Sequence, residues 1–291
     1  MNWKKNAVTD APKERLTHSE DLELIARKLR GRIIETSHKA EIPHLGSCLS
    51  CVDILIVMYF SILRIDVTNP RAQERDRFIL SKGHGAPALF QVLAARGFYP
   101  EEMLETYGED GSVFAEHPPA PDYLAGIEAA TGSLGHGLSI GLGMALAARI
   151  QKKEYNVYVV LSDGECNEGA VWEAALFAAA QNIHNLCFVI DFNKWQATGR
   201  SCEIMALNSL SEKWSAFGWN VSEVNGHDMQ ELIQSLEKFP AENQKPTAII
   251  AHTIKGKGIS FMEDDNNWHY CIPTKEQVLA AQQELGLEVC V

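Results

Sequence analysis

No stretch of this sequence is long and apolar enough to cross a bilayer. The longest strongly apolar run, Ile54 to Leu63, covers ten residues, about half of the roughly 20 that a spanning helix needs, so it reads as a buried helix. The opening residues hold Lys4 and Lys5 but no apolar h-region. That pattern argues against a secretory signal and makes the cytoplasm the expected location. Basic charge is also scarce: 26 Lys and Arg against 38 Asp and Glu leave a formal charge of −12. A nucleic acid or an anionic membrane would be repelled, so neither is an expected partner. A small anionic substrate would need a locally basic site, which another chain can help to complete. Internal repeats, low-complexity stretches and flexible linkers are absent from the sequence. The seven cysteines (48, 51, 166, 187, 202, 271, 290) are odd in number and scattered, the pattern of reduced intracellular thiols. Cys48-Leu-Ser-Cys51 has redox-motif spacing but leads into an apolar helix, which favours core packing over redox or metal chemistry.

A chain of 291 residues that is 46% hydrophobic can bury a large core, and one layered α/β domain with extensions is expected. Residues 1–18 are polar, contain Pro12 and read as a loosely held arm, with the domain covering 19–291. Ser19 looks like an N-cap followed by acids and then by apolar residues at helical spacing, predicting a helix over about 20–38. Val52 to Leu63 predicts a second helix. Arg77 to Ser81 reads as a short strand ending in Lys82-Gly-His-Gly85, with helical patterns from Ala86 to Arg96 and from Pro100 to Tyr107. Pro118, Pro119 and Pro121 exclude regular structure from Gly108 to Thr131, and so long a loop in a compact domain is more often functional than spare. Gly132 to Gly143 then runs into an alanine-rich helix ending near Lys152. Its glycines, spaced four apart, let another backbone approach, so this helix is expected to lie beneath a ligand or partner chain, with close helix packing as the alternative.

Val157 to Leu161 and Leu186 to Asp191 are apolar strands separated by an alanine-rich helix over 170–180, and a third strand, Pro246 to His252, follows a helix at about 228–238. Such strands describe a mostly parallel sheet with helices on both faces. Ligands of open parallel sheets bind beyond the carboxyl ends of the strands. Leu161-Ser-Asp163-Gly164 and Ile190-Asp-Phe-Asn193 both lie at such ends. Asp163 offers a carboxylate and Asn193 a side-chain carbonyl, hard oxygen ligands of the kind magnesium or calcium prefers. Gly164 permits a tight turn whose amide can face a phosphate at a helix N-terminus. Asp-Gly alone is a weak signal, since it is a common turn dipeptide.

Ser162-Asp-Gly-Glu-Cys-Asn-Glu-Gly-Ala-Val-Trp-Glu-Ala, with Asp191-Phe-Asn193-Lys194 after it, resembles the thiamine-diphosphate motif of transketolases. Further family-like segments follow the family order: His44-Leu-Gly-Ser47, Asp76 to His84, Glu116-His117-Pro118, Thr131-Gly-Ser-Leu-Gly135, Thr253 to Gly258 and Trp268-His269. Together they span about residues 20–275. The resemblance implies a thiamine-diphosphate-binding fold of the pyrophosphate-domain type, binding thiamine diphosphate and Mg2+, for which Ca2+ or Mn2+ can substitute. It places Asp163, Asn193 and the carbonyl of Trp195 on the metal. The Gly164 amide and His84 fall near the cofactor's diphosphate, Gly132 and Leu134 lie along its aminopyrimidine, Ser133, Glu165 and Asn193 also contact the cofactor, and Lys255, likewise cofactor-binding, adds positive charge nearby. His44, His117 and His269 would project toward the reacting carbons, with His269 also on the cofactor, and Ser47 and Lys82 would join them around the substrate. Single histidines are more often structural, and His18, His38, His136, His184, His227 and His252 keep that reading.

The reaction implied is transfer of a two-carbon ketol unit from a ketose to an aldose such as glyceraldehyde 3-phosphate, in which neutral imidazoles can move protons on and off hydroxyl groups. The ketose could be an ordinary sugar phosphate or a specialised one such as a branched sugar phosphate or sulfofructose. Ser162 replaces the first glycine of the family's usual Gly-Asp-Gly, and Tyr270-Cys271 stands where relatives commonly have glycine. The pyrimidine-binding domain and C-terminal domain of a full transketolase have no counterpart in these 291 residues. A separate C-terminal subunit carrying the pyrimidine-binding domain, with its cofactor-activating glutamate, is therefore expected, in an α2β2 assembly. Two other readings stay open: a different thiamine enzyme component, of the 1-deoxyxylulose-phosphate synthase or ketoacid dehydrogenase type, and an inactive cofactor-binding homologue.

Overall fold

A computed structural model describes residues 15–207 and 209–287. The elements run in the order α1 (Ser19–Ala40), α2 (Leu45–Ser50), α3 (Val52–Val57), β1 (Arg77–Leu80), α4 (Ala86–Arg96), α5 (Gly137–Gln151), β2 (Val157–Ser162), α6 (Gly169–Ala180) and β3 (Leu186–Phe192). They continue with α7 (Ser201–Ile204), α8 (Leu210–Ala216), β4 (Asn220–Asn225), α9 (Met229–Leu236), β5 (Thr247–His252) and α10 (Lys275–Glu284). The five strands form one sheet in the order β1-β2-β3-β5-β4, and every pairing is parallel.

Alternate strand residues point to opposite faces, and each face has its own core. Phe78, Leu80, Tyr158, Val160, Cys187 and Val189 pack with side chains of α1, α3, α4 and α9. Ile79, Val157, Val159, Leu161, Phe188 and Ile190 pack with α5, α6 and α8 on the other side. This two-sided burial makes β2 and β3 almost continuously apolar, as expected. β4 is different: it pairs only with β5 at the sheet edge and buries little beyond Val224. Its polar alternation hid it from the sequence reading.

Several local expectations need correction. Ser19 is the first helical residue of α1, and His18 occupies the cap position without a side-chain hydrogen bond. The predicted arm falls mostly outside the described residues, but Leu16 is tied down, its N–H donating to Phe60 O at 2.9 Å and its carbonyl accepting from Ser61 Oγ at 2.7 Å. The helix expected over 52–63 is α3 followed by a wider π turn, Met58–Ile62. On α5, Gly137 and Gly141 are closely packed within the chain, a Cβ on the first colliding with Ser81 and one on the second lying 2.6 Å from Val159 Cγ2, whereas one on Gly143 would meet nothing. Cys48 and Cys51 are buried and free, and burial pushes both thiols up, Cys51 to about 12. A thiol so hard to ionise is a poor redox nucleophile, in keeping with core packing.

Candidate active site

The carboxyl ends of β1, β2 and β3 and the loops beyond them border a cavity of about 420 Å3. One wall is imidazole. His44 precedes α2 in a left-handed conformation (φ 72°, ψ 15°), which costs a non-glycine residue roughly 1 kcal/mol. The chain holds it there through a hydrogen bond from the His44 N–H to His269 O at 2.9 Å. The His44 ring lies 5.5 Å from His84, 6.4 Å from His117 and 5.0 Å from His269, centroid to centroid. His84 sits in the tight turn Gly83–Gly85 after β1. His117 comes from the long irregular loop and packs on Gly132, whose φ of 149° and 2.8 Å clearance from His117 Cδ2 leave no room for a Cβ. Burial lowers the pKa of His44. Burial, then the Lys82 charge, puts His84 well below the ordinary histidine value. Burial and Lys255 bring His269 down to about 3. At neutral pH these three rings are uncharged, each with one N–H and one lone pair.

The ends of β2 and β3 offer oxygen. Asp163 is fully buried, and its carboxylate accepts from Gly164 N–H at 3.0 Å and from Ser201 Oγ at 2.6 Å. Burial raises it to about 6, against the pull of the Ser201 hydrogen bond. Asn193 closes a turn by accepting the Trp195 N–H on Oδ1 at 3.0 Å, with Lys194 left-handed between them. The Trp195 loop is latched at its rim: Arg200 stacks 3.7 Å over the indole and pairs with Asp264, which also accepts from Trp195 Nε1 at 2.8 Å.

Of the residues assigned from sequence, His44, Ser47, His84, His117, Gly132, Leu134, Gly164, Asn193, Trp195 and His269 line this cavity. Ser133 is exposed beside it. Four others are not among its lining residues, the first being Asp163, wholly buried with its carboxylate on the Gly164 amide and the Ser201 hydroxyl. Lys82 is wholly buried, ion-paired with Asp191 and donating to Ser47 O at 2.9 Å, so it cannot touch a sugar without breaking that pair. Lys255 is 1% exposed and stands behind His269. Glu165 turns inward, its carboxyl accepting from Ser81 Oγ, from Gly135 N–H at 3.1 Å and from Ser162 N–H at 2.8 Å. It braces the 132–135 segment against the Asp163 turn. The Gly164 amide is likewise engaged by its neighbour's carboxylate, and a 3-10 turn (Gly164–Asn167) precedes α6.

Sequence reading missed Asn167 and Gln196. Both line the cavity, and Asn167 Oδ1, Gln196 Nε2 and His44 Nδ1 are buried there without a hydrogen-bond partner. Buried polar atoms are rarely left unpaired in a finished site, so these orphans, Gln196 Nε2 a donor and Asn167 Oδ1 an acceptor, suit a polar ligand carrying both acceptors and donors. Among the described residues no three His, Cys, Asp or Glu side chains gather as a metal cage. A carboxylate, an amide oxygen and a backbone carbonyl, the kinds Asp163, Asn193 and Trp195 carry, are oxygen ligands that a Mg2+ ion bearing phosphate oxygens would accept.

The profile of the transketolase thiamine diphosphate binding domain matches residues 23–290. The chain is 43% identical over 267 residues to an apulose-4-phosphate transketolase subunit of Phocaeicola vulgatus, covering 92% of this chain and 94% of that protein. It is 40% identical over 268 residues to the 6-deoxy-6-sulfo-D-fructose transketolase subunit SqwG of a Clostridium species, covering 92% and 97%. A crystal structure of transketolase from Campylobacter jejuni superposes with a TM-score of 0.87 at 27% identity, covering 94% of this chain but 44% of that one.

Proposed function

The chain belongs to the transketolase family, as its thiamine-diphosphate-binding domain, and from that premise we propose that it is the cofactor-holding subunit of a two-chain transketolase. The reaction is transfer of a two-carbon ketol unit from a ketose to an aldose acceptor such as glyceraldehyde 3-phosphate. The observation that carries this reading is one cavity lined by His44, His84, His117 and His269 together with Gly164, Asn193 and Trp195, with the Asp163 carboxylate buried against the Gly164 amide. Asp163, Asn193 and the Trp195 carbonyl would hold Mg2+. Gly164, His84 and His269, with Gln196 offering its unpaired Nε2–H, would meet the diphosphate end. Gly132 and Leu134 would lie along the ring system.

When bound, thiamine diphosphate supplies the carbanion that breaks and remakes the carbon–carbon bond. His44 and His117, both lining the cavity, would take and return hydroxyl protons, and the lowered pKa of His44 keeps it neutral for both tasks. The relatives of similar length are named as transketolase subunits acting on apulose 4-phosphate and 6-deoxy-6-sulfo-D-fructose, which supports a specialised ketose and a partner subunit. The partner would carry the pyrimidine-binding domain, in an α2β2 assembly working in the cytoplasm. The test is reconstitution. The chain alone should show no ketol transfer, and mixing it with the C-terminal subunit should produce Mg2+- and thiamine-diphosphate-dependent transfer; turnover by the isolated chain would overturn the half-site reading.

A further inference from the structure

His227 lies outside the cavity, just after β4, where sequence alone made it a structural histidine. It forms part of a nearly dry cluster with Arg30 of α1 and Asp53 of α3, whose side chains are 7% and 6% exposed. Arg30 grips Asp53 with two hydrogen bonds, 3.0 and 2.7 Å. His227 Nδ1 lies 2.7 Å from Asp53 Oδ2, and His227 Nε2 lies 2.9 Å from the Ile254 N–H. Burial pushes the Asp53 carboxyl up, but Arg30 and His227 outweigh it and hold it below its ordinary value. An amide N–H can only donate, so His227 Nε2 carries the lone pair and Nδ1 carries the proton given to Asp53. Both ring nitrogens are committed, and neither is left to act on a substrate.

The segment gripped in this way carries Lys255. Its backbone is held on the near side at Ile254 N–H by His227 and on the far side at Lys257 O by Arg30 Nε, 2.9 Å. Gly258 passes so close that a Cβ would lie 2.8 Å from Arg30 Cδ. Lys255 Nζ then reaches Asn266 Oδ1 at 2.7 Å and His269 Nδ1 at 3.0 Å. An ammonium group can only donate, so His269 Nδ1 must be the lone pair, and the neutral ring carries its proton on Nε2.

We propose that the Arg30–Asp53–His227 cluster is a positioning device: it sets Lys255, which fixes His269 in the Nε2–H form as a donor on the cavity wall. His227 is thus a positioning residue acting through two others. A donor in a fixed place suits an anionic diphosphate oxygen. That last step rests on the proposed cofactor site, but the tautomers themselves do not.

The experiment is long-range proton–nitrogen NMR of the full chain with nitrogen-15-labelled histidine at pH 7, the two rings assigned by substitution. His269 should show the Nε2-protonated pattern and His227 the opposite, Nδ1-protonated pattern; either ring in the other form overturns the proposal, with no variant needed. His227→Gln can still accept from Ile254 through its side-chain oxygen and should keep the His269 pattern. His227→Asn reaches Asp53 but not Ile254 and should let His269 exchange between forms, as should Lys255→Met; an unchanged His269 in His227→Asn also overturns it. In the reconstituted enzyme, His227→Asn should weaken thiamine diphosphate binding about tenfold, the scale of one well-placed hydrogen bond. Turnover at saturating cofactor should stay near wild type, and His227→Gln should remain within about twofold. Correct tautomers in a chain that binds no thiamine diphosphate would defeat the proposed function and leave the positioning device standing.

Discussion

Asp163→Asn should make the ligand-free chain more stable while destroying its metal site. Asp163 is fully buried, and burial lifts its carboxyl from the ordinary 3.8 to about 6, partly offset by the Ser201 hydrogen bond and reinforced by the nearby Asp191. Because the folded pKa is raised, ionising this group costs the folded chain more than the unfolded one. The penalty is absent below pH 3.8, grows as pH rises from 4 to 6, and is complete above 6. At roughly 1.4 kcal/mol per tenfold, the gap is worth about 3 kcal/mol. Asparagine has the same shape and no charge. Its oxygen can still accept the Gly164 N–H, and its amide can donate to the Ser201 hydroxyl. Urea unfolding without divalent cation should show the variant more stable by up to about 3 kcal/mol at pH 8, with most of that gain gone at pH 4.5. With Mg2+ and thiamine diphosphate the order should reverse, since only the wild type gains stability from binding. No gain at pH 8, or an equal gain at both pH values, would refute the argument that burial of this carboxylate is held in reserve for a cation.

Lys82→Met leaves Asp191 buried without its ion-pair partner and should destabilise the chain by roughly 3–5 kcal/mol in urea; adding Asp191→Asn should recover part of the loss. Gly141→Ala drives a methyl group to 2.6 Å from Val159 Cγ2 and should cost roughly 1–3 kcal/mol. Gly143→Ala meets open space and should instead add about 0.5–1 kcal/mol through helix propensity, both read from thermal melts of the isolated chain. Burial lowers Lys255 to about 8, with the Lys82 charge adding to the effect, so it stays charged below that pH and loses its charge above it. Calorimetry should therefore show thiamine diphosphate affinity falling as pH rises through about 8.

The layout of the sheet was legible because its inner strands are buried on both faces, which forces apolar runs such as Val157 to Leu161 and Leu186 to Ile190. The two strand tips that follow, with Asp163 and Asn193, were legible for the same topological reason. The lysines were not. Lys82 and Lys255 both stand in family-like segments and read equally as positive charge facing a ligand, yet the fold gives them opposite fates. Lys82 meets Asp191, 109 positions away, and although burial works against its charge, that carboxylate holds its pKa above the ordinary value. Lys255 hydrogen-bonds only neutral groups, Asn266 and His269, among the described residues, so burial pulls its pKa down. The first cation is cancelled where it stands; the second stays an ammonium without a direct ion-pair partner behind a ring that is neutral at neutral pH. A chain with a formal charge of −12 thus keeps an ammonium without a direct ion-pair partner behind the cavity wall, where low surrounding polarity strengthens its reach toward an anion.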